Sequence, residues 1–174
     1  MFNVTKFKLA VFCFSFASAS CVGFNATAQS SGNQSFNVIV PSSISITAPT
    51  GVTITHNETD APQLFPEQTW VVRGNSRNGV AVAFKTITPF THTQDNNFKR
   101  DARLQVAVGA TQGPATWNVG VASDTTNYLN SDNVAEVSVN SNGIGRANLN
   151  LTVSFVGGEF GVFAAGTYAT TVTG

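Results

Sequence analysis

The sequence predicts an all-β protein, and within that class an immunoglobulin-like antiparallel β-sandwich. Apolar and polar residues alternate in many short runs, as they do along strands that bury one face. The clearest run is 147–155, where Ala147, Leu149, Leu151 and Val153 alternate with Asn and Thr. The runs recur at a spacing of about 8 to 12 residues, and no stretch keeps helical periodicity over three turns, which is the pattern of a sandwich or barrel.

Taken in order, the chain offers about ten short runs with strand character. The first is 35–40, in which Phe36, Val38 and Val40 alternate up to Pro41, a residue that cannot donate to a sheet ladder. The others are assigned where β-branched and aromatic residues alternate or cluster. They are 44–46, 52–56, 69–73, 80–85, 103–108, 116–122, 134–139, 147–155 and 166–173.

Turn signals predict how these strands connect. The pair Asn78-Gly79 predicts a hairpin between 69–73 and 80–85. The glycines and proline of 109–114 predict a second hairpin, between 103–108 and 116–122. The strands 147–155 and 166–173 are expected to form the centre of the sheet, and Trp70 and Trp117, each in phase with apolar neighbours, are expected in the core.

The first residues have the order of a secretory signal peptide, in which basic residues precede an apolar run and then small residues. Cleavage after Ala26-Thr27-Ala28 would remove residues 1–28, leaving 29–34 as a flexible lead-in and 35–174 as a single β-sandwich domain. A retained anchor and lipidation at Cys21 are the alternatives. We therefore expect a secreted protein, located extracellularly, at the cell surface or in the periplasm, with no membrane span.

Composition excludes several classes of function. Acidic and basic residues number nine each, and the charge becomes −2 once Lys6 and Lys8 leave with the signal. Such a chain has no basic field for nucleic acid or an anionic membrane. Both cysteines, Cys13 and Cys21, lie in the signal, so thiol catalysis and thiolate metal sites are not expected, and neither is any cofactor.

Candidate chemistry is sparse. No nucleophile elbow, zinc-helix motif or phosphate loop is present, so we expect no enzyme and no catalytic residue. His56 and His92 are interpreted as solvent-exposed loop histidines because neither has a second histidine at ligand spacing. The possible ligand contacts are Tyr128, whose ring could stack on a sugar, and the oxygen-rich turn with Asp95 and Asn97, whose spacing lacks a calcium-loop pattern.

The segment Ala165-Gly166-Thr167-Tyr168, followed by 170–173, resembles the closing strand of bacterial secreted β-sandwich families. These are spore-coat-U-like and other chaperone-usher pilin subunits and WxL-type wall-binding domains. The resemblance implies a non-catalytic structural or surface-assembly protein whose strand edges bind copies of itself or other surface proteins. A pilin-like chain would assemble by an incoming donor strand, for which 35–40 is the alternating candidate, although the expected disulfide is absent and no Trp-x-Leu lies near the end. The alternative function is a carbohydrate or cell-wall binding module that holds a glycan.

Overall fold

The structure is a computed structural model that describes residues 31–174. The predicted signal peptide and its cleavage site lie outside the described residues. The chain divides into two units, Met1–Val38 and Ile39–Gly174. In the first unit, residues 31–38 are exposed and have no regular secondary structure, and every strand lies in the second unit.

The described residues contain eleven strands, one 3-10 helix at Tyr128–Asn130 and no α-helix. The strands are β1 (Ile44–Thr47), β2 (Gln63–Leu64), β3 (Gln68–Gly74), β4 (Ala81–Thr86), β5 (Phe90–His92), β6 (Lys99–Gln112), β7 (Trp117–Val121), β8 (Ser123–Thr125), β9 (Ala135–Ser141), β10 (Gly145–Val156) and β11 (Tyr168–Ala169). Every strand pairing is antiparallel. The prediction of an all-β antiparallel protein is therefore confirmed.

The strands form two sheets of unequal size. The larger is a curled eight-stranded sheet in the order β1-β3-β10-β6-β5-β11, with β2 added to β10 and β8 added to β6. The smaller is a three-stranded sheet in the order β4-β9-β7. Strand β10 is central in the larger sheet because it pairs with β3 on one side and with β6 on the other.

The main core lies between the two sheets. Strand β10 contributes Ala147, Leu149 and Leu151, which alternate with more exposed polar residues and are almost fully buried. Trp70 and Trp117 are each 8% exposed, which confirms that both belong to the core. Each large apolar side chain buried here stabilises the fold by about 1.5–3 kcal/mol.

A second apolar cluster lies at the other end of the curled sheet. Its buried members are Phe90, Ala102 and Phe155, and its half-buried members are Phe65, Val153, Phe163 and Tyr168. No residue of β4, β9 or β7 belongs to this cluster. The smaller sheet therefore covers only part of the larger one, and the rest is approached only by irregular segments.

Both predicted hairpins are wrong. Strands β3 and β4 lie in different sheets, and so do β6 and β7. The turn at 75–79 does form, with Gly79 at a φ of 85°, but the chain crosses from one sheet to the other there. Asn-Gly fixes a change of direction, whereas the sheet that the next strand joins depends on which apolar faces meet.

Two predicted strands do not form, and one predicted for the centre of the sheet lies at its edge. Segments 35–40 and 52–56 have no strand assignment, although their alternation is clear in the sequence. The closing strand is short and pairs only with β5, at the end of the larger sheet. Alternation predicts an extended segment with two different faces, and a strand also needs a neighbour to bond with.

Candidate functional site

The most distinctive feature of the described residues is an open apolar groove of about 820 Å³. Its floor is the uncovered part of the curled sheet, with Trp70, Leu151, Val153 and Phe155 along its length. One side is formed by residues 48–56, here called the 48–56 wall, and the other by residues 163–172, the 163–172 wall. The volume lies in the range of ligand-sized pockets, about 300–1,000 Å³.

The 48–56 wall is extended but unpaired. Ile54 and His56 are half-buried, while Thr53 and Thr55 between them are exposed, so the segment has the two faces of a strand. Within the described part of the chain, residues 51–55 form no backbone–backbone hydrogen bond. This wall therefore presents free backbone N–H and C=O groups.

The 163–172 wall is paired along one edge only. Thr173 exchanges two backbone hydrogen bonds with Lys85, both of 2.8 Å, and the Thr167 carbonyl accepts from the Thr93 N–H at 2.9 Å. Backbone groups alternate in direction along a strand, so those of Thr170 and Val172 face the opposite way. Among residues 31–174 neither of these two makes a backbone–backbone hydrogen bond. Unpaired backbone donors and acceptors beside an apolar floor are free to bond to an added strand.

Aromatic rings fill one end of the groove, here called the aromatic end. His56 stacks on Phe160 with ring centroids 5.5 Å apart and an angle of 14°. Phe155 and Phe163 make T-shaped contacts with the same imidazole, with ring centroids 5.8 and 5.5 Å from the centroid of the imidazole. The Arg100 guanidinium lies 4.6 Å from the centroid of Phe163, a cation–π distance.

His56 carries an unsatisfied donor. Its Nδ1 accepts a hydrogen bond of 3.0 Å from the Glu58 backbone N–H, which places the proton of the neutral ring on Nε2. That Nε2 is buried, and no hydrogen-bond partner for it occurs among residues 31–174. A buried donor without an acceptor is unfavourable by about 1–3 kcal/mol.

His92 differs from its predicted role as an exposed loop histidine. It is 6% exposed, and its Nδ1 accepts from the N–H groups of Gln94 and Asp95 at 3.2 and 3.1 Å. Its Nε2 therefore donates to the Ala165 carbonyl at 3.2 Å. The prediction of exposure is wrong because this ring ties the 163–172 wall to the loop after β5.

The predicted ligand contacts lie outside the groove. Tyr128 begins the 3-10 helix, is half-buried, and accepts a 3.3 Å hydrogen bond on its hydroxyl from Arg100 Nη1. Asp95 caps its own turn, since its Oδ1 accepts from the Asn97 N–H at 3.0 Å. In the described part of the chain no hydrogen bond joins Tyr128 to this turn, so a shared site for the three residues stays a prediction.

Sequence reasoning missed the groove because alternation does not show whether a strand-like run finds a partner strand. Two extended runs, 35–40 and 52–56, alternate clearly and yet pair with no strand among residues 31–174. Among residues 31–174 no group of three acidic, histidine or cysteine side chains is placed to hold a metal ion. Nor does that stretch include a helix with the length and apolar character needed to span a bilayer. What the groove offers is backbone donors and acceptors along both walls above an apolar floor, the chemistry that binds an extended peptide.

No protein-family model matches the chain, and no curated protein is significantly similar to it.

Proposed function

We propose that this protein is a secreted, non-catalytic subunit of a bacterial-type surface assembly whose copies join by strand addition. Residues 35–40 of one copy lie in the groove of a second copy, where they bond to the free backbone of both walls. The observation that carries this proposal is the coexistence, in one chain, of an open strand-shaped groove and an exposed apolar segment that alternates like a strand.

The segment is suited to such a role. Phe36, Val38 and Val40 are 83%, 87% and 74% exposed, which is unusual for three large apolar residues so close together. In an extended segment all three side chains point to the same side. They match the apolar floor of the groove, while the backbone of the segment supplies partners for Thr170, Val172 and residues 51–55.

The burial of these three side chains and the cost of association are similar in size. Burying three large apolar side chains contributes about 5–9 kcal/mol at about 1.5–3 kcal/mol each. Association opposes this by about 4–15 kcal/mol of lost freedom. The apolar term alone therefore gives at best a weak complex, and the backbone hydrogen bonds along the two walls decide whether it is stable.

Strand addition also gives a physical account of the uneven architecture. The curled sheet and the smaller sheet cover one another only in part, and a strand inserted between the 48–56 and 163–172 walls would close the open side. We propose that the completed unit is an immunoglobulin-like sandwich, in which one strand comes from the neighbouring copy.

The test compares substitutions on the two faces of the segment. Phe36→Asp and Val38→Asp place a charge against the apolar floor and are expected to leave the protein monomeric. Ile39→Asp is the matched control, because Ile39 is 92% exposed in the free chain but points to the opposite face. Sedimentation over a range of concentrations measures assembly. A wild-type protein that stays monomeric at high concentration, or an Ile39→Asp variant as defective as Phe36→Asp, would refute the proposal.

A further inference from the structure

Two arginines lie directly opposite one another on the outer face of the larger sheet. Arg73 of β3 pairs with Arg146 of β10, and their neighbours Val72 and Ala147 are fully buried. Both guanidinium groups therefore point away from the core. Opposed side chains on paired strands start about 4.5–5.5 Å apart at Cβ, and like charges in this position repel and destabilise the sheet.

No carboxylate of the protein compensates this pair. All nine acidic side chains lie among residues 31–174, and the one ion pair formed there joins Lys85 to Glu136. That ion pair occupies the same kind of cross-strand position, between β4 and β9, with opposite charges. In the described part of the chain, the arginine side chains that form hydrogen bonds are those of Arg100 and Arg103. The donors of the opposed arginines are thus left for an external partner.

The end of the sheet that holds the pair carries positive charge alone. Three charged residues occur in the segments that build it, and all are arginines: Arg73, Arg77 and Arg146. The segments are 40–50, 68–79, 104–118 and 138–150. With no carboxylate nearby, an incoming anion meets no repulsion here. Each guanidinium offers a planar fork of N–H donors that matches the oxygens of an anionic group.

The pair is the middle of a row of polar side chains. Ser45 on β1 pairs with Arg73, and Gln112 on β6 pairs with Arg146. Residues directly opposite one another point to the same face of a sheet. Four neighbouring strands therefore present a hydroxyl, two guanidinium groups and an amide side by side.

A second line of polar groups runs along β10 from the pair. Asn148 and Asn150 follow Arg146 on the same face, at intervals of about 6.6 Å. The Asn150 side chain accepts a 3.2 Å hydrogen bond from the Thr69 hydroxyl. It also lies beside Gly109, where a Cβ would come within 3.3 Å of its amide. The outer face thus holds amide and hydroxyl groups in line with the arginines.

We propose that Arg73 and Arg146 bind a carboxylate or sulfate group of an acidic polysaccharide whose chain lies along β10. The amides and hydroxyls that follow the pair bond to the hydroxyl groups of neighbouring sugars. A neutral glycan is commonly held by stacking on aromatic rings. The outward residues of β3 and β10 include no aromatic side chain, so charge supplies the affinity. Three charges are few beside the basic stripes that bind nucleic acid.

This site is independent of the groove. Trp70 and Leu151 of the groove floor alternate with Arg73 and Arg146 along the same two strands, so the floor and the arginine pair lie on opposite faces of one sheet. A strand added in the groove leaves the outer face open. The polysaccharide site therefore does not rest on the proposed strand addition, and a failure of either proposal leaves the other untouched.

Binding of two short acidic sugars to the full chain tests the site. The probes are trigalacturonate, which carries carboxylates, and sulfated maltotriose. Their neutral counterparts are methyl-esterified trigalacturonate and maltotriose. Isothermal titration calorimetry at low salt is expected to show binding of at least one charged probe and of neither neutral one, with affinity falling as salt is added.

Substitutions locate the bound group. Arg73→Gln and Arg146→Gln are each expected to weaken binding about ten-fold, because each removes a charge-assisted contact. Arg73→Lys keeps the charge without the planar fork and should fall between Arg73→Gln and the parent. Arg103→Gln is the matched control. It removes the same charge from the same face, but Arg103 pairs with Ser154, about 26 Å along β10 from Arg146, and binding should not change.

Unfolding curves separate binding from a structural role. Removing either arginine relieves the repulsion, so the unfolding midpoints of Arg73→Gln and Arg146→Gln should equal or exceed that of the parent. Lower midpoints with unchanged binding would overturn the proposal. So would no binding of either charged probe, equal binding of the neutral sugars, or an Arg103→Gln variant as weak as Arg146→Gln. Inorganic sulfate that binds as tightly as the sulfated sugar would overturn a polysaccharide as the ligand.

Discussion

Gly166 lies directly against the imidazole of His92. A Cβ at residue 166 would overlap Nε2 of that ring, and Gly166 has a φ of 148°, a conformation that favours glycine. The same Nε2 donates to the carbonyl of the preceding residue, Ala165. This contact is the physical reason for glycine in the Gly-Thr-Tyr segment, and it holds the 163–172 wall on β5.

Gly166→Ala is therefore expected to destabilise the fold by about 2–4 kcal/mol, through backbone strain together with the overlap on the ring. The control is Gly143→Ala, because a Cβ at Gly143 meets no atom within 4 Å and its φ is not positive. Urea unfolding measures both variants. A loss in Gly166→Ala no larger than that in Gly143→Ala would show that the contact does not hold the wall.

Thr86 links the smaller sheet to the same wall. Its side chain is fully buried, and its hydroxyl lies 2.8 Å from the Thr170 hydroxyl and 2.9 Å from the Thr88 carbonyl. Thr86→Val keeps the shape of the side chain but removes the hydroxyl that bonds to the Thr88 carbonyl and the Thr170 hydroxyl. We therefore expect the free energy of unfolding to fall by about 1–2 kcal/mol. Thr69→Val is the matched exposed control, where a change below about 0.5 kcal/mol is expected from chemical denaturation. Equal losses in the two variants would contradict the role of Thr86.

Tyr168 gives the fold a dependence on alkaline pH. Burial of the side chain raises the pKa of its hydroxyl above the ordinary value of about 10, against an opposing effect of the Arg100 guanidinium. Above pH 10 the unfolded chain loses this proton more readily than the folded chain, so stability falls as the pH rises through the folded pKa. Below pH 10 the group gives no such dependence.

Tyr168→Phe removes this titration, and it also removes the 2.9 Å hydrogen bond to the Ala164 carbonyl. The variant is expected to be less stable than the parent at pH 8 and to lose less stability between pH 9 and about pH 11. Unfolding midpoints over that pH range provide the measurement. Parallel curves for the two proteins would show that Tyr168 does not contribute to the alkaline loss.

The sequence predicted the faces of the strands better than their partners. Alternation with polar residues correctly placed Leu149 and Leu151 in the core. Trp70 and Trp117 were correctly placed there because each lies on the same strand face as its apolar neighbours. Both predictions succeed because the direction of a side chain along a strand depends only on local geometry. The hairpin predictions failed because Asn78-Gly79 specifies a turn, whereas sheet membership is decided by contacts between residues far apart in the chain. Phe84 beside Val137 is such a contact.

The candidate site was hidden for the same reason. Residues 35–40 and 52–56 were assigned as strands from their pattern, and nothing local indicates that neither run pairs with a strand in the described part of the chain. His92 was misplaced because a loop histidine becomes buried only when a distant segment, here Ala165-Gly166, packs on its ring.

A synthetic peptide of residues 33–42 is expected to bind the free subunit in place of a neighbouring copy. A ligand that binds only the folded state stabilises it, by about 2.7 kcal/mol when present at 100 times its Kd. The peptide should therefore raise the melting temperature of the Phe36→Asp variant, whose own segment cannot compete for the groove. A peptide in which Asn37 and Val38 are exchanged keeps the composition but breaks the alternation, and it should have no effect because it would place an amide against the apolar floor. Equal stabilisation by both peptides would indicate non-specific apolar binding, and no shift with either at millimolar concentration would contradict a groove shaped for this segment.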